Sequence, residues 1–134
     1  MIIDLSTSYE FQLLLDPLDS SEDFPSVLFR VHAKVSMPSW QAAIESTGSW
    51  FSYESLNAFE QSLRSLVRST EGVASLTDMD DMPVIVITRN GNQTCVRVTV
   101  QDSINMASSC VEVSGYASEL VSLAERLTDY PKWW

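Results

Sequence analysis

The chain is poor in the residues that perform covalent chemistry. It has one histidine, His32, and two cysteines, Cys95 and Cys110. It carries no glycine-rich phosphate loop and no cluster with metal-ligand spacing. No G-x-S-x-G elbow is present, so serine-based hydrolysis has no support. The cysteines have no CxxC partner, no neighbouring histidine and no helix N-terminus to lower their pKa, so they read as inert sheet thiols. No cofactor is implied.

Positive charge is also scarce. Eight basic residues stand against 18 acidic ones, a formal net charge of -10. A field of that sign repels phosphate backbones, which argues against nucleic acid as a direct partner. It speeds encounter with a basic protein instead. No apolar run approaches the roughly 18 residues that a membrane span needs. The opening MIIDLSTSYEF lacks a basic n-region and a long apolar stretch, so no secretory signal is expected. The expected compartment is the cytoplasm, where both cysteines stay reduced.

The signals that are present concern the fold. The hydrophobic fraction is 45% and the aromatic fraction 10%, which excludes a disordered chain. At 134 residues a single domain is expected, with a core that needs no disulfide or metal.

Two segments have helical periodicity. From Tyr53 to Ser69, Leu56, Phe59, Leu63, Leu66 and Val67 form one apolar stripe. Ser52 is its expected N-cap, Glu54 sits in the first turn, and Gly72 is expected to close it after Arg64 and Arg68. From Tyr116 to Asp129 the stripe is Tyr116, Leu120, Leu123, Ala124 and Leu127, with Ser114 as cap and Pro131 beyond the end.

The remainder reads as strands. Val27, Phe29, Val31, Ala33 and Val35 alternate with Arg30, His32 and Lys34, so Val27–Val35 has one buried and one wet face. Tyr9–Leu15 is an earlier strand, and Trp40–Glu45 a later one after the Met37-Pro38 break. Asn90-Gly91 is a hairpin signal, because both residues tolerate the positive φ of a type I′ turn. A two-residue turn there sets Ile85 opposite Val96 and Ile87 opposite Thr94. A further strand covers Ile104–Val113. If Asp102-Ser103 forms the next turn, Cys95 faces Cys110, still as free thiols. Asp16–Pro25 and Ser75–Met82 read as polar, acidic connections. The expected class is α+β: an antiparallel sheet, strongly curved or split into two packed sheets, covered by two amphipathic helices.

His32 falls on the outward face of its strand, and nothing near it in sequence supplies the orienting partner of a general base. Asp78, Asp80 and Asp81 alternate as DMDD, but no twelve-residue calcium loop follows and no glycine permits its sharp turn. A metal site is therefore not expected. Carboxylates in a loop pair well with arginine, which makes this segment a candidate contact for a protein partner. Asp19, Glu22 and Asp23 form a second acidic candidate. Trp50-Phe51 can staple the first helix, and Trp133-Trp134 are expected to fold back on the core.

The first-helix segment FSYESLNAFEQSLRSL is followed by Gly72-Val73-Ala74-Ser75-Leu76. An apolar strand, the Asn-Gly hairpin and YASELVSLAERL come next. This order resembles the WapI-type immunity proteins of bacterial polymorphic toxin systems, over roughly residues 40 to 128. The resemblance implies a non-enzymatic protein that binds a cognate toxin domain and blocks it. It supplies no catalytic residues. Toxin domains that cut RNA tend to be basic, and an acidic inhibitor gains on-rate from that charge. Two other readings compete: an interaction module that forms a homodimer through an exposed sheet face or edge, and an enzyme using His32 with distant carboxylates.

Overall fold

Alternation of apolar and polar side chains does define the centre of the first sheet. In the computed structural model, which describes residues 2–8, 10–102 and 104–134, Val27, Phe29, Val31, Ala33 and Val35 are all buried. They lie on β3 (Ser26–Ser36). β3 pairs with β2 (Phe11–Ser21) on one side and β4 (Gln41–Ser52) on the other. The short β1 (Ile3–Asp4) completes an antiparallel sheet in the order β1-β2-β3-β4. The helix α1 (Tyr53–Arg68) follows. A second antiparallel sheet then runs β5-β6-β7-β8, from β5 (Glu71–Thr77), β6 (Pro83–Asn90), β7 (Gln93–Asp102) and β8 (Ala107–Tyr116). A 3₁₀ turn (Ala117–Glu119) leads into α2 (Leu120–Asp129). The fold is thus α+β, with two sheets rather than one curved sheet.

The chain passes through ββββα twice. Buried positions recur in the two helices at the same spacing: Leu56, Phe59, Leu63 and Leu66 beside Leu120, Leu123, Leu127 and Tyr130. α1 lies against β5 and α2 against β1, the helices touch each other, and β4 meets β8. That is the contact pattern of an approximate two-fold relating the halves. One continuous apolar core links both sheets and both helices.

The first helix starts as expected, with the Ser52 hydroxyl accepting from the Ser55 N–H at 3.0 Å. Its C-terminus differs. Gly72 is not the closing residue but part of β5, opposite Arg89, where a Cβ would stand 3.2 Å from Leu66. Ser69 closes the helix locally, its N–H donating to the Leu66 carbonyl at 3.4 Å and its hydroxyl to the Ser65 carbonyl at 3.0 Å, and another element adds to this. Arg89 of β6 donates from Nη1 to the carbonyls of Leu66 and Val67 at 2.9 and 3.1 Å. Its Nε donates to the Gly91 carbonyl at 2.9 Å. The orphan carbonyls of a helix end are here satisfied by a charged side chain that strand pairing delivers. At the second helix, Ser114 is likewise not a cap: it lies in β8 opposite Cys95. Tyr116 ends that strand, exposed rather than in the helical stripe, and its N–H donates to Glu119 Oε1 at 3.0 Å.

Other expectations are corrected by strand pairing. β2 runs through the expected Asp16–Pro25 loop as far as Ser21, with an irregularity between Pro17 and Asp19. β1 reaches only Leu14 and Leu15, so Pro17 has an open side and sacrifices no ladder bond there. Ser75–Thr77 belongs to β5, which reduces the second acidic connection to residues 78–82. The hairpin loop is Gly91-Asn92, not Asn90-Gly91, because Asn90 pairs with Gln93. Gly91 has φ 63° and Asn92 does not share the positive φ, which fits a type II′ turn. The Gly91 N–H donates to Thr70 at 2.7 Å, which holds the turn in place. Ile85 therefore opposes Val98 and Ile87 opposes Val96. A two-residue displacement leaves every side chain on its expected face.

Cys95 and Cys110 are not opposite each other. Cys95 faces Ser114 and Cys110 faces Thr99, and both are free thiols. Asp102 pairs with Ala107, so the connection is four residues long, with Met106 at φ 53°. Tyr9 and Ser103, which begin an expected strand and end an expected turn, lie outside the described residues. Of the two terminal tryptophans only Trp134 folds back, packing edge-on against Phe29 at 5.8 Å and stacking on Tyr130 at 5.9 Å, while Trp133 stays 53% exposed.

Arg89→Ala removes the charged donor from the Leu66 and Val67 carbonyls, leaving Leu66 only the Ser69 N–H, and should lower unfolding free energy by about 1.5–3 kcal/mol, read from the urea midpoint. Arg89→Lys should recover less than half of that, because an ammonium cannot reproduce the planar fork.

Candidate protein-binding surface

Where the two sheets meet, a slot of about 570 Å³ opens between them. One wall is residues 45–49 of β4, Glu45 to Ser49. The other is the end of the β7–β8 hairpin, with Val100, Gln101, Asp102, Ile104 and Ala107 to Ser109. Asp78 and Asp80 close one side. Four carboxylates line the slot, and no lysine, arginine or histidine does. The other lining residues are mostly small, and a Cβ added at Gly48 would meet nothing within 4 Å.

The slot continues into a second pocket of about 360 Å³, sharing Gly48 and Asp80 with it. Ser21, Phe24, Ser26, Trp50 and Met79 complete this lining. Its character is apolar, and Phe24 is 70% exposed at its edge. Ile104 and Met106, at 91% and 92% exposure, stand on the β7–β8 loop beside the slot. Large apolar side chains so exposed contribute little burial to the fold.

Of the two acidic segments singled out from the sequence, only Asp78 and Asp80 line these cavities. Asp78 and Asp80 line the slot, and Asp81 follows in the same turn, exposed, with φ 60°. Glu22 and Asp23 sit between Ser21 and Phe24, both of which line the apolar pocket. Asp19 lies on β2 opposite Leu28, lines neither cavity, and accepts from the Ser20 N–H at 2.8 Å. The Met79 N–H donates to the Trp50 carbonyl at 2.9 Å, which ties the 78–82 loop to β4. Asp78 is partly spent on shaping that loop, since its Oδ1 accepts from the N–H groups of Asp80 and Met82, each at 2.9 Å. Asp80 and Asp81 are the carboxylates left to meet a partner.

Sequence reasoning missed Glu45 and Asp102, which become neighbours of the DMDD loop only through the packing of the sheets. It also missed Phe24, Trp50, Met79, Ile104 and Met106. The expected Ile104–Val113 strand takes in the last two, whereas β8 starts only at Ala107, which leaves both in the connection.

His32 is elsewhere. Its Nδ1 is 3.4 Å from Glu45 Oε2, and Arg30 lies 3.6 Å from the same carboxyl and 3.7 Å from Asp16. This is a charge ladder across β2, β3 and β4 on the outer face of the sheet. Glu45 lines the slot and His32 does not. Among the described residues, no group of three or more His, Cys, Asp or Glu could hold a metal ion. Burial pushes the Cys95 thiol above its ordinary pKa, and the nearby Glu112 carboxylate pushes it further the same way. That is the reverse of what a nucleophilic cysteine needs. No helix among the described residues is long and apolar enough to cross a membrane.

Comparison with family models, with curated proteins and with solved structures finds no match. The resemblance to WapI-type immunity proteins therefore rests on the residues quoted for it alone.

The Asp102 carboxylate holds the slot's loop. The Asn105 side chain donates to it at 2.7 Å, and the N–H groups of Asn105 and Ile104 donate at 3.2 and 3.0 Å. Chiefly through the Asn105 side chain, these bonds hold its pKa below the ordinary 3.8. A depressed carboxyl stabilises fully above its unfolded pKa, and that contribution is lost as pH falls below 3.8 through the folded value. Hydrogen-exchange protection of Ile104 and Asn105 should thus drop between about pH 5 and about pH 2. Asp102→Ala should show the unprotected state throughout; equal protection at both ends would separate the loop from this carboxylate.

Proposed function

We propose that the chain is a non-enzymatic inhibitor that binds a basic protein toxin domain, as the resemblance to immunity proteins implies. The observation that carries this reading is the slot lined by Glu45, Asp78, Asp80 and Asp102 with no basic residue among them, continuous with the Phe24–Trp50–Met79 pocket. The two parts divide the work of recognition. Carboxylates around a cleft raise the encounter rate with a cationic partner by about 10- to 1,000-fold at low salt. Affinity depends on aromatic anchors that become fully desolvated, since rim charges add little to it. An acidic slot with an apolar pocket adjoining it fits both requirements.

A homodimer is the competing reading. β8 is an unpaired edge without lysine or proline, which favours association with another strand. Net charge of -10 on every copy opposes it.

The test begins with capture by the tagged full chain from a lysate of the source cells, at low and moderate salt. The expected result is one basic protein whose expression alone arrests growth and whose co-expression with this chain does not. Asp80→Asn with Asp102→Asn should weaken capture chiefly at low salt, by reducing the on-rate. Phe24→Ala or Trp50→Ala should weaken it at both, by about tenfold or more if either is an anchor. Recovery of the chain alone, with a mass that rises with concentration, would replace this reading with the homodimer.

A further inference from the structure

The four sheet edges of this molecule are not equivalent. β1 has two residues and lies against α2, and β5 lies against α1. β4 and β8 are the edges to which no further strand is paired; α1 touches β4, β8 touches β3 and β4, and the two edges flank the slot. An uncovered edge offers a row of unpaired N–H and C=O groups, which soluble proteins blunt with lysine, proline, a bulge or a charge. β4 is guarded in this way by Glu45 and by a shift in register between Phe29 and Val31, opposite Ser46–Ser49. β8 has no such guard at its start. Ala107, Ser108, Ser109 and Cys110 are all exposed, all small, and in unbroken register with β7.

We infer that the edge of β8 at Ala107–Cys110 receives an extended, basic segment of the partner protein as a fifth strand of the second sheet. This inference rests on the function proposed above and names the mode of contact. Four residues of edge span about 13 Å, enough for one turn of ladder pairing on each side of a central residue pair. Alternate side chains of an added strand point to opposite faces. One set then faces the slot, where Asp80 selects lysine or arginine, while Glu45, already beside Arg30 and His32, and Asp102, held by Asn105, add negative field around it. Small residues along the edge leave room for a second backbone, and Ile104 and Met106 stand at the mouth to cover the strand's apolar side chains. The charge of the slot selects this occupant over a second copy, whose own β8 is uncharged at these positions and belongs to an anionic molecule. Strand addition uses main-chain bonds for affinity and side-chain alternation for specificity.

The experiment is an NMR titration of the full chain with the hexapeptide amide Lys-Val-Lys-Val-Lys-Val. Two analogues serve as comparators, one N-methylated at alternate backbone nitrogens and one with glutamate for lysine. The amides of residues 107–110 should shift and gain exchange protection with the parent peptide. N-methylation on the pairing edge should weaken binding at least tenfold, and the glutamate peptide should not bind. Ser108→Pro and Ser109→Pro provide the second arm. Backbone N–H groups alternate between β7 and the open side, so one variant keeps the ladder and folds. That variant should lose the peptide.

Equal binding of the parent and N-methylated peptides would overturn the inference. So would shifts confined to residues away from β8, no binding at millimolar peptide, or unimpaired binding by the folded proline variant. The two proposals fail separately. A basic toxin captured by a chain whose β8 ignores the peptide removes the docking mode and keeps the function. A peptide paired on β8 with no toxin recovered does the reverse.

Discussion

Burial of one face of each sheet against a common core is the constraint on which the rest depends. The two sheets share no ladder; they are joined by Phe29, Phe51, Leu63, Leu76, Ile85 and their neighbours in one continuous cluster. Neither four-stranded meander could hide its apolar face from water without the other sheet and the helices. Each helix lies against the first strand of the other half, α1 on β5 and α2 on β1. Separation of the halves would thus expose both helical stripes and both inner faces together. Aromatic contacts fasten the point where the tail returns, since Phe29 lies 5.8 Å from both Phe51 and Trp134. Each such pair adds about 0.5–1.5 kcal/mol beyond the area it buries.

The same constraint decides where the molecule is open. The helices lie chiefly on the β5 and β1 sides, and β4 and β8 meet each other without pairing. An approximate two-fold would place equivalent strands at that junction, and β4 and β8 are equivalent in chain order. A slot between two unpaired edges is therefore a product of the architecture. What the sequence adds is its chemistry: acids from β4, from the 78–82 loop and from the β7–β8 hairpin, with no base among them.

How much of this was legible depended on whether the cause was local. The alternation of Val27 to Val35 and the stripes of Leu56–Leu66 and Leu120–Leu127 report burial of one face, a periodic property of the sequence itself. Strand β5 was hidden because Ala74 and Leu76 are its only buried residues, with an exposed Val73 between glycine and alanine. The hairpin register was misplaced by two because the Gly91 N–H is fixed by Thr70, a residue from the far side of a helix. Arg89 could not be read as a cap of α1 for the same reason. The repeated ββββα order is matched by no sequence repeat, since burial alone is common to the two halves. The carboxylates of the site were legible as charge; their assembly with Glu45, Asp102, Phe24 and Met79 was not, because sheet packing alone makes them neighbours.

The site also differs from the rest of the surface in the kind of compromise it holds. Elsewhere charges are paired across strands, as Arg97 with Glu112 at 2.8 Å, and at the slot's own wall Glu45 has Arg30 at 3.6 Å. At the slot, Asp80 and Asp102 have no cation on them, and they gather where like charges repel. Ile104, Met106 and Phe24 stay in water although burial of each would stabilise the chain by about 1.5–3 kcal/mol. An uncovered edge adds a hazard of aggregation. Three departures from what stability and solubility favour, unpaired acids, exposed apolar anchors and a bare strand edge, fall on one corner of the molecule. Departures of this kind persist where function requires them. Their common remedy is a single object, an extended cationic segment with apolar side chains, which would pair the edge, neutralise the acids and cover the anchors at once.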